Sequence, residues 1–296
     1  MTKINEAILR TLIYADLFDY PLTVEETWRF LLIKKSSKEE IKKAYRDLKP
    51  TKEHDGFYFL KGREKIVGLR KKRQKWSQKK LTIAEKTAKS LKLIPWVKMI
   101  GITGGLAILN SDKNDDIDLL IVSAKKRLWL TRFLVTFLVS LVGKRRQPGE
   151  TQVKDKICLN MFLDEEHLRV PKKEQDLFSA HEICQIRLLY DKDKTSARFF
   201  RENQWAKNYL PNASFTIHNI EHEALNINRK RKFKVADFVF NLVETLLKLF
   251  QLWFMRNRRT TEVITEGILR FHPQDSRHWI FKEYAARLQK RGLDKF

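Results

Sequence analysis

Apolar positions in the first sixty residues follow two periods. Ile4, Ile8, Leu9, Leu12, Ile13 and Leu17 recur at helical spacing and predict an amphipathic N-terminal helix. The phrase Asp19-Tyr20-Pro21-Leu22-Thr23 breaks it, and Thr23 with Glu26 makes a capping box for a second helix through Leu32. Ser36 or Ser37 caps a third helix, with Glu39 in its first turn, running to about Leu48. An Asp55-Gly56 turn then precedes the aromatic run Phe57-Tyr58-Phe59-Leu60, which predicts a hairpin.

The pattern changes after residue 62. Residues 63–95 read as a long helix whose apolar side is Leu69, Trp76, Leu81 and Ala88. Residues 96–170 alternate short apolar runs with turns: Val97 to Ile102, Ile117 to Val122, and Ile157 to Leu163 read as strands. Leu128 to Val142 has Arg132 as its only charge and is too short to span a bilayer, so a helix packed on the sheet is expected. Residues 171–296 read as mostly helical, with a helix from Gln175 to Leu189 that carries His181 and Glu182. From Ala236 to Met255 the polar residues Asp237, Asn241, Glu244, Lys248 and Gln251 fall on one stripe of an otherwise apolar helix. Such a helix packs into a bundle or against a partner, and Arg256-Asn257-Arg258-Arg259 behind it also suits an anionic membrane surface.

Charge sharpens this picture. The formal net charge is +24 on 296 residues, which points to a polyanionic partner, nucleic acid first and an acidic membrane second. The 61–93 stretch holds thirteen Lys or Arg against two Glu, including Arg70-Lys71-Lys72-Arg73. It reads either as a polyanion-contacting face or as a solvated linker. Cys158 and Cys184 are too few for a metal-binding set and read as reduced thiols of a cytoplasmic protein. His218, Glu221 and His222 spell H-x-x-E-H, similar to the inverted zinc-protease motif; a chance pair on a polar helix accounts for it better, since nothing else in the chain resembles that family.

The chemistry concentrates between Lys98 and Ser123. Three of the ten glycines, Gly101, Gly104 and Gly105, fall there, and adjacent glycines let backbone N–H groups approach an anion. Asp116 and Asp118 share one face of the following strand, and paired carboxylates of this kind suit Mg²⁺. Thr103-Gly104-Gly105, ten residues, then Asp116-Ile117-Asp118-Leu119 resembles the signature of the nucleotidyltransferase superfamily, the polymerase-beta-like fold.

That resemblance implies an α+β fold with a mixed-sheet nucleotidyltransferase domain at 96–170, a helical region at 171–296, and two Mg²⁺ ions with ATP or another NTP. Thr103, Gly104 and Gly105 would hold the triphosphate, and Asp116 and Asp118 the metal. A third carboxylate is expected on the Ile157–Leu163 strand, where Asn160 stands instead and would serve as a weak ligand. Family members often carry Ser at the position of Gly105. The 1–62 segment resembles a winged helix-turn-helix, which would turn Lys42, Lys43 and Arg46 toward RNA or DNA. The activity implied is transfer of a nucleoside monophosphate to a hydroxyl acceptor. The rivals are a non-catalytic nucleotide sensor with a degenerate site and a peripheral membrane protein.

Overall fold

The computed structural model describes residues 2–213, 234–256, 263–271 and 276–294. Three helices open the chain: α1 (Lys3–Asp16), α2 (Val24–Arg29) and α3 (Lys38–Asp47). Capping boxes start two of them, Thr23 with Glu26 and Ser37 with Glu40, each closing two backbone donors that the first turn leaves unpaired. The strands β1 (Thr51–His54) and β2 (Phe57–Leu60) then pair antiparallel, with His54 opposite Phe57. Asp55 and Gly56 both take positive φ, 53° and 78°, as the two-residue turn between right-twisted strands demands.

Helix α4 (Lys65–Leu91) leads to a six-stranded sheet. Its strands are β3 (Val97–Ile102), β4 (Ile117–Ser123), β5 (Ile157–Asp164), β6 (Arg187–Asp191), β7 (Val263–Ile264) and β8 (Ile268–Arg270), in the spatial order β6-β3-β4-β5-β8-β7. Only β4 and β5 run parallel, so the sheet is mixed and the chain is α+β. The one-turn α5 (Gly104–Ala107) joins β3 to β4, and α6 (Leu128–Leu141) crosses from β4 to β5. The remaining helices are α7 (Leu177–Gln185), α8 (Thr195–Glu202), α9 (Lys234–Met255) and α10 (Arg277–Gln289).

Residue 170 is therefore no boundary of the sheet, since β6, β7 and β8 all come from beyond it. The helix expected from Gln175 to Leu189 stops at Gln185, and Ile186 turns extended at φ −49°, ψ 127° to start edge strand β6. Neither β7 nor β8 is long enough to show a period of two. The first sixty residues likewise share a core with the far end of the chain. Ile8, Leu12 and Ile13 pack with Leu177, Ala180, Ile280 and Tyr284, and Arg10 Nη1 donates to the Asp294 carbonyl at 2.8 Å.

The two sheet faces are cleanly divided. Ile117, Leu119 and Ile121 pack under α4 and α6, while Leu120 and Val122 pack against α7 and α8. By the same alternation Asp116 and Asp118 look toward the α7 side. The His218, Glu221 and His222 motif lies outside the described residues, as does His272-Pro273.

The basic helix does not present its charge uniformly. Lys71 and Lys72 are exposed, as are Lys42, Lys43 and Arg46 on α3. Arg70 is instead 3% exposed: its Nη2 donates to Glu26 Oε1 at 2.6 Å, and its guanidinium lies 3.7 Å from the Tyr20 ring centroid. Burial lowers its pKa to about 9. Arg73 donates to the Phe18 carbonyl at 2.9 Å. Arg70 and Arg73 thus hold the chain together and do not form the polyanion surface expected of them. The reason is that the first turns of α4 bring both side chains against residues 18–26, where the Glu26 carboxylate, the Tyr20 ring and the Phe18 carbonyl receive them.

Truncating a buried partner strands the other charge, so Arg70→Ala is expected to cost about 3 kcal/mol. Lys72→Ala is expected to stay within about 0.5 kcal/mol, as exposed substitutions do. Urea unfolding of the two variants checks the contrast.

Candidate functional site

β3 ends at Ile102, and the Thr103 N–H donates to the Asp118 carbonyl at 3.1 Å, the last rung between β3 and β4. The chain must then turn immediately above the Asp118 side chain. Gly104 does so at φ +65°, and a Cβ there would stand 3.2 Å from Asp118 Oδ2. The left-handed backbone favours glycine, and a side chain would also need the Asp118 carboxylate to shift by a few tenths of an ångström. At Gly105 a Cβ would lie 3.3 Å from the Asn110 carbonyl oxygen, because Asn110 N–H closes the turn onto the Gly105 carbonyl at 2.7 Å. A serine at this position would need the Asn110 backbone to give way by a few tenths of an ångström.

The acidic pair is held from below. Lys80 of α4, 1% exposed, donates to the Asp115 carbonyl at 2.5 Å and to Asp155 Oδ1 at 2.8 Å, which pins the loop ahead of β4. Residues 144–146 are tied to the start of β5, with Arg146 N–H donating to the Ile157 carbonyl at 2.9 Å. That pairing brings Arg146 Nη1 to 2.6 Å from Asp116 Oδ2.

On β5 the register places Cys158 beside Asp118, and a bulge between there and the Leu120–Met161 pair inserts one extra residue. The bulge lets Asn160 reach the same carboxylate, Nδ2 donating to Asp118 Oδ1 at 2.9 Å. Asn160 is 2% exposed, and its Oδ1 is buried without a hydrogen-bond partner. The ligand atoms of Asp116, Asp118 and Cys158 all lie within 4.8 Å of one another. Burial, then the Asp116 charge, pushes the Asp118 carboxyl up to about 7. Burial and the two aspartates raise the Cys158 thiol far above its ordinary range, so it stays protonated.

Gly104, Gly105 and Asp118 border a cavity of about 300 Å³ whose other walls come from α1, α7 and α10. Tyr14, Phe18, Tyr20, Phe30, Phe178 and Trp279 face it, and no Lys or Arg is among its described lining residues. Glu182 lines it too, with its carboxyl pushed up to about 7 by burial. Its charge adds to the rise at Asp118. His181 stacks on Tyr14 at 4.3 Å between ring centroids, and burial drives its pKa down to about 3. Both residues of the pair thus line the cavity. No protein-family model and no curated protein matches this chain.

Of the residues singled out from the sequence, Thr103, Gly104, Gly105, Asp116, Asp118 and Asn160 come together. Lys42, Lys43, Arg46 and the 70–73 run belong to other surfaces or to the interior. Sequence reasoning gave three members of the cluster no role at the site, although Glu182 was noted on its helix. Cys158 has the strand parity of Asn160, which was a usable signal. Arg146 sits in what reads as a closing loop, and Glu182 reaches the cavity only because α7 packs across the sheet.

The proton on Asp118 is bound more tightly in the folded chain than in the unfolded one, so wild-type stability falls as pH rises from about 4 to about 7. Asp118→Asn keeps the Asn160 contact and removes the ionisation. In chelator-containing buffer it is expected to gain about 2 kcal/mol on the wild type at about pH 8 and nearly nothing at about pH 4, after discounting for solvent at a half-buried group. Thermal melts at the two pH values decide it.

Proposed function

We propose that the chain is a nucleotidyltransferase that moves a nucleoside monophosphate from an NTP to a hydroxyl of a small acceptor, with pyrophosphate as the leaving group. The observation that carries this reading is the contact between the glycine turn and the acidic strand. Gly104 turns in the left-handed region directly above Asp118, a Cβ there standing 3.2 Å from Oδ2, so backbone N–H groups and carboxylates converge where a triphosphate and its cation would meet.

Asp116, Asp118 and the unpartnered Asn160 Oδ1 offer hard oxygen donors suited to one Mg²⁺; the protonated Cys158 thiol does not suit that ion. When bound, the ion supplies charge neutralisation at the reacting phosphate. Arg146, already against Asp116, adds a second positive group at the same place.

The aromatic cavity holds the acceptor. A pocket of about 300 Å³ with no basic lining suits one neutral or cationic molecule and not a nucleic acid chain, which needs Lys or Arg for its phosphates. Glu182 takes the proton of the attacking hydroxyl. A carboxylate raised to about 7 is matched to that task, and it replaces the acid that Asn160 lacks. The helices ahead of the sheet, with Lys42, Lys43 and Arg46 exposed, would then serve mainly to close the cavity.

One observation favours the second reading, a nucleotide sensor that performs no transfer. Arg146 pairs with Asp116 and Asn160 donates to Asp118, so each carboxylate already has a protein partner without a cation.

Purified protein with α-labelled ATP, Mg²⁺ and a small-molecule extract tests both. Label is expected to move with the wild type and not with Asp116→Ala/Asp118→Ala. Glu182→Gln is expected to lose about 100-fold or more in kcat with little change in nucleotide KM. The wild-type rate should rise toward a plateau above about pH 7 as Glu182 ionises, and that limb should vanish in Glu182→Gln. Magnesium-dependent ATP binding without any transfer would establish the sensor instead.

A further inference from the structure

Helix α9 bonds to the protein through part of its polar stripe, while Asp237 and Lys248 stay exposed: Asn241 accepts from Arg127 at 2.8 Å, Gln251 Nε2 donates to the Trp129 carbonyl at 2.9 Å, and Arg132 donates to Gln251. Glu244 accepts the Trp129 and Leu130 N–H groups at 2.7 and 2.9 Å, capping an α6 N-terminus that has no side-chain cap of its own. The apolar stripe is left outside. Leu242, Leu246, Leu249, Phe250 and Trp253 stand between 51% and 59% exposed. Phe137 of α6, 52% exposed, belongs to the neighbouring helix that α9 packs against.

Ordinary surface helices turn such residues inward, and apolar patches of this kind mark an interaction site. The flanking sequence identifies the partner by charge. Arg229-Lys230-Arg231-Lys232 precedes the helix and Arg256-Asn257-Arg258-Arg259 follows it, in a chain of net charge +24. An apolar stripe between two basic runs matches a bilayer carrying anionic headgroups.

We infer that α9, with the outer side of α6, docks the protein onto an anionic membrane, lying in the plane of the interface. At 22 residues, about 33 Å, the helix is long enough to cross the hydrocarbon layer. Two features place it flat. Its polar stripe is bound to α6 from Asn241 to Gln251, and α6 itself packs on the sheet through Val135 and Val139. Basic runs at both ends also keep both ends at one surface, where a spanning helix shows an asymmetry between its two sides. A second copy of the chain is a poorer occupant, because dimerising would bring the two sets of basic runs together. This inference does not depend on the proposed activity.

The test is flotation of the full-length protein with phosphatidylcholine vesicles, pure or containing about one third phosphatidylglycerol. The wild type is expected to float with the anionic vesicles and to bind the neutral ones at least about tenfold less. Leu246→Glu/Phe250→Glu should lose binding to the anionic vesicles by a similar factor, with an unchanged circular dichroism spectrum. Should that variant misfold, the wild-type tryptophan emission, measured against Trp253→Phe, serves instead. A blue shift on adding vesicles that is absent from Trp253→Phe supports docking through this face. Equal flotation of the folded double variant, or no Trp253 shift, overturns the inference. So does a wild type that stays in solution as a dimer which the double variant breaks.

Discussion

The constraint on which the site depends is the antiparallel pairing of β3 with β4 up to its last rung, Thr103 N–H to the Asp118 carbonyl. That rung decides where the glycine turn begins relative to the carboxylates. One residue of slip would swap the faces of Asp118 and Leu119 and place an apolar side chain beneath Gly104. The register is held by Ile100, Ile102, Ile117, Leu119 and Ile121, all fully buried on the α4–α6 face. Lys80 reinforces it from outside the sheet, since its buried ammonium binds the Asp115 carbonyl just before β4 starts. The geometry of two aspartates is thereby set by apolar packing on the opposite face and by one lysine of a helix 35 residues earlier.

A net charge says nothing of where its members sit. Among the thirteen basic residues of 61–93, Lys80 and Arg70 are interior, and Arg73 bonds to Phe18, the residue whose carbonyl also accepts from Asn110 at 3.0 Å. These cations act as cross-links among α1, α4 and the turn after α5. A buried cation of this sort needs an acceptor, supplied here by carboxylates (Glu26 for Arg70, Asp155 for Lys80) and by backbone carbonyls (Asp115 for Lys80, Phe18 for Arg73). The polyanion reading of this stretch therefore shrinks to its exposed members, such as Lys71 and Lys72.

The legible parts of the fold were the local ones. The capping boxes, the Asp55-Gly56 turn, the glycine pair and the Asp116-Ile117-Asp118 strand each declare themselves within a few residues, because the forces that shape them act over one turn. The unread parts depended on distant partners. β6 and β8 are strands only because β3 and β5 offer free edges, and three or five residues carry too little pattern to announce that. The bulge that sets Cys158 and Asn160 together beside Asp118 has no mark in Ile157 to Leu163. Glu182 could not be placed without knowing that α7 crosses the carboxylate face.

Helix α9 shows why a pattern can be read correctly and still mislead. The polar stripe at 237, 241, 244, 248 and 251 is real, but a stripe does not say which medium it prefers. In water it would turn outward; here the free N–H groups of α6 and the Trp129 carbonyl draw Glu244 and Gln251 inward. Those groups belong to the crossover between β4 and β5, the strands that carry Asp118, Cys158 and Asn160. The same contacts that leave the apolar stripe outside thus brace the connection behind the site.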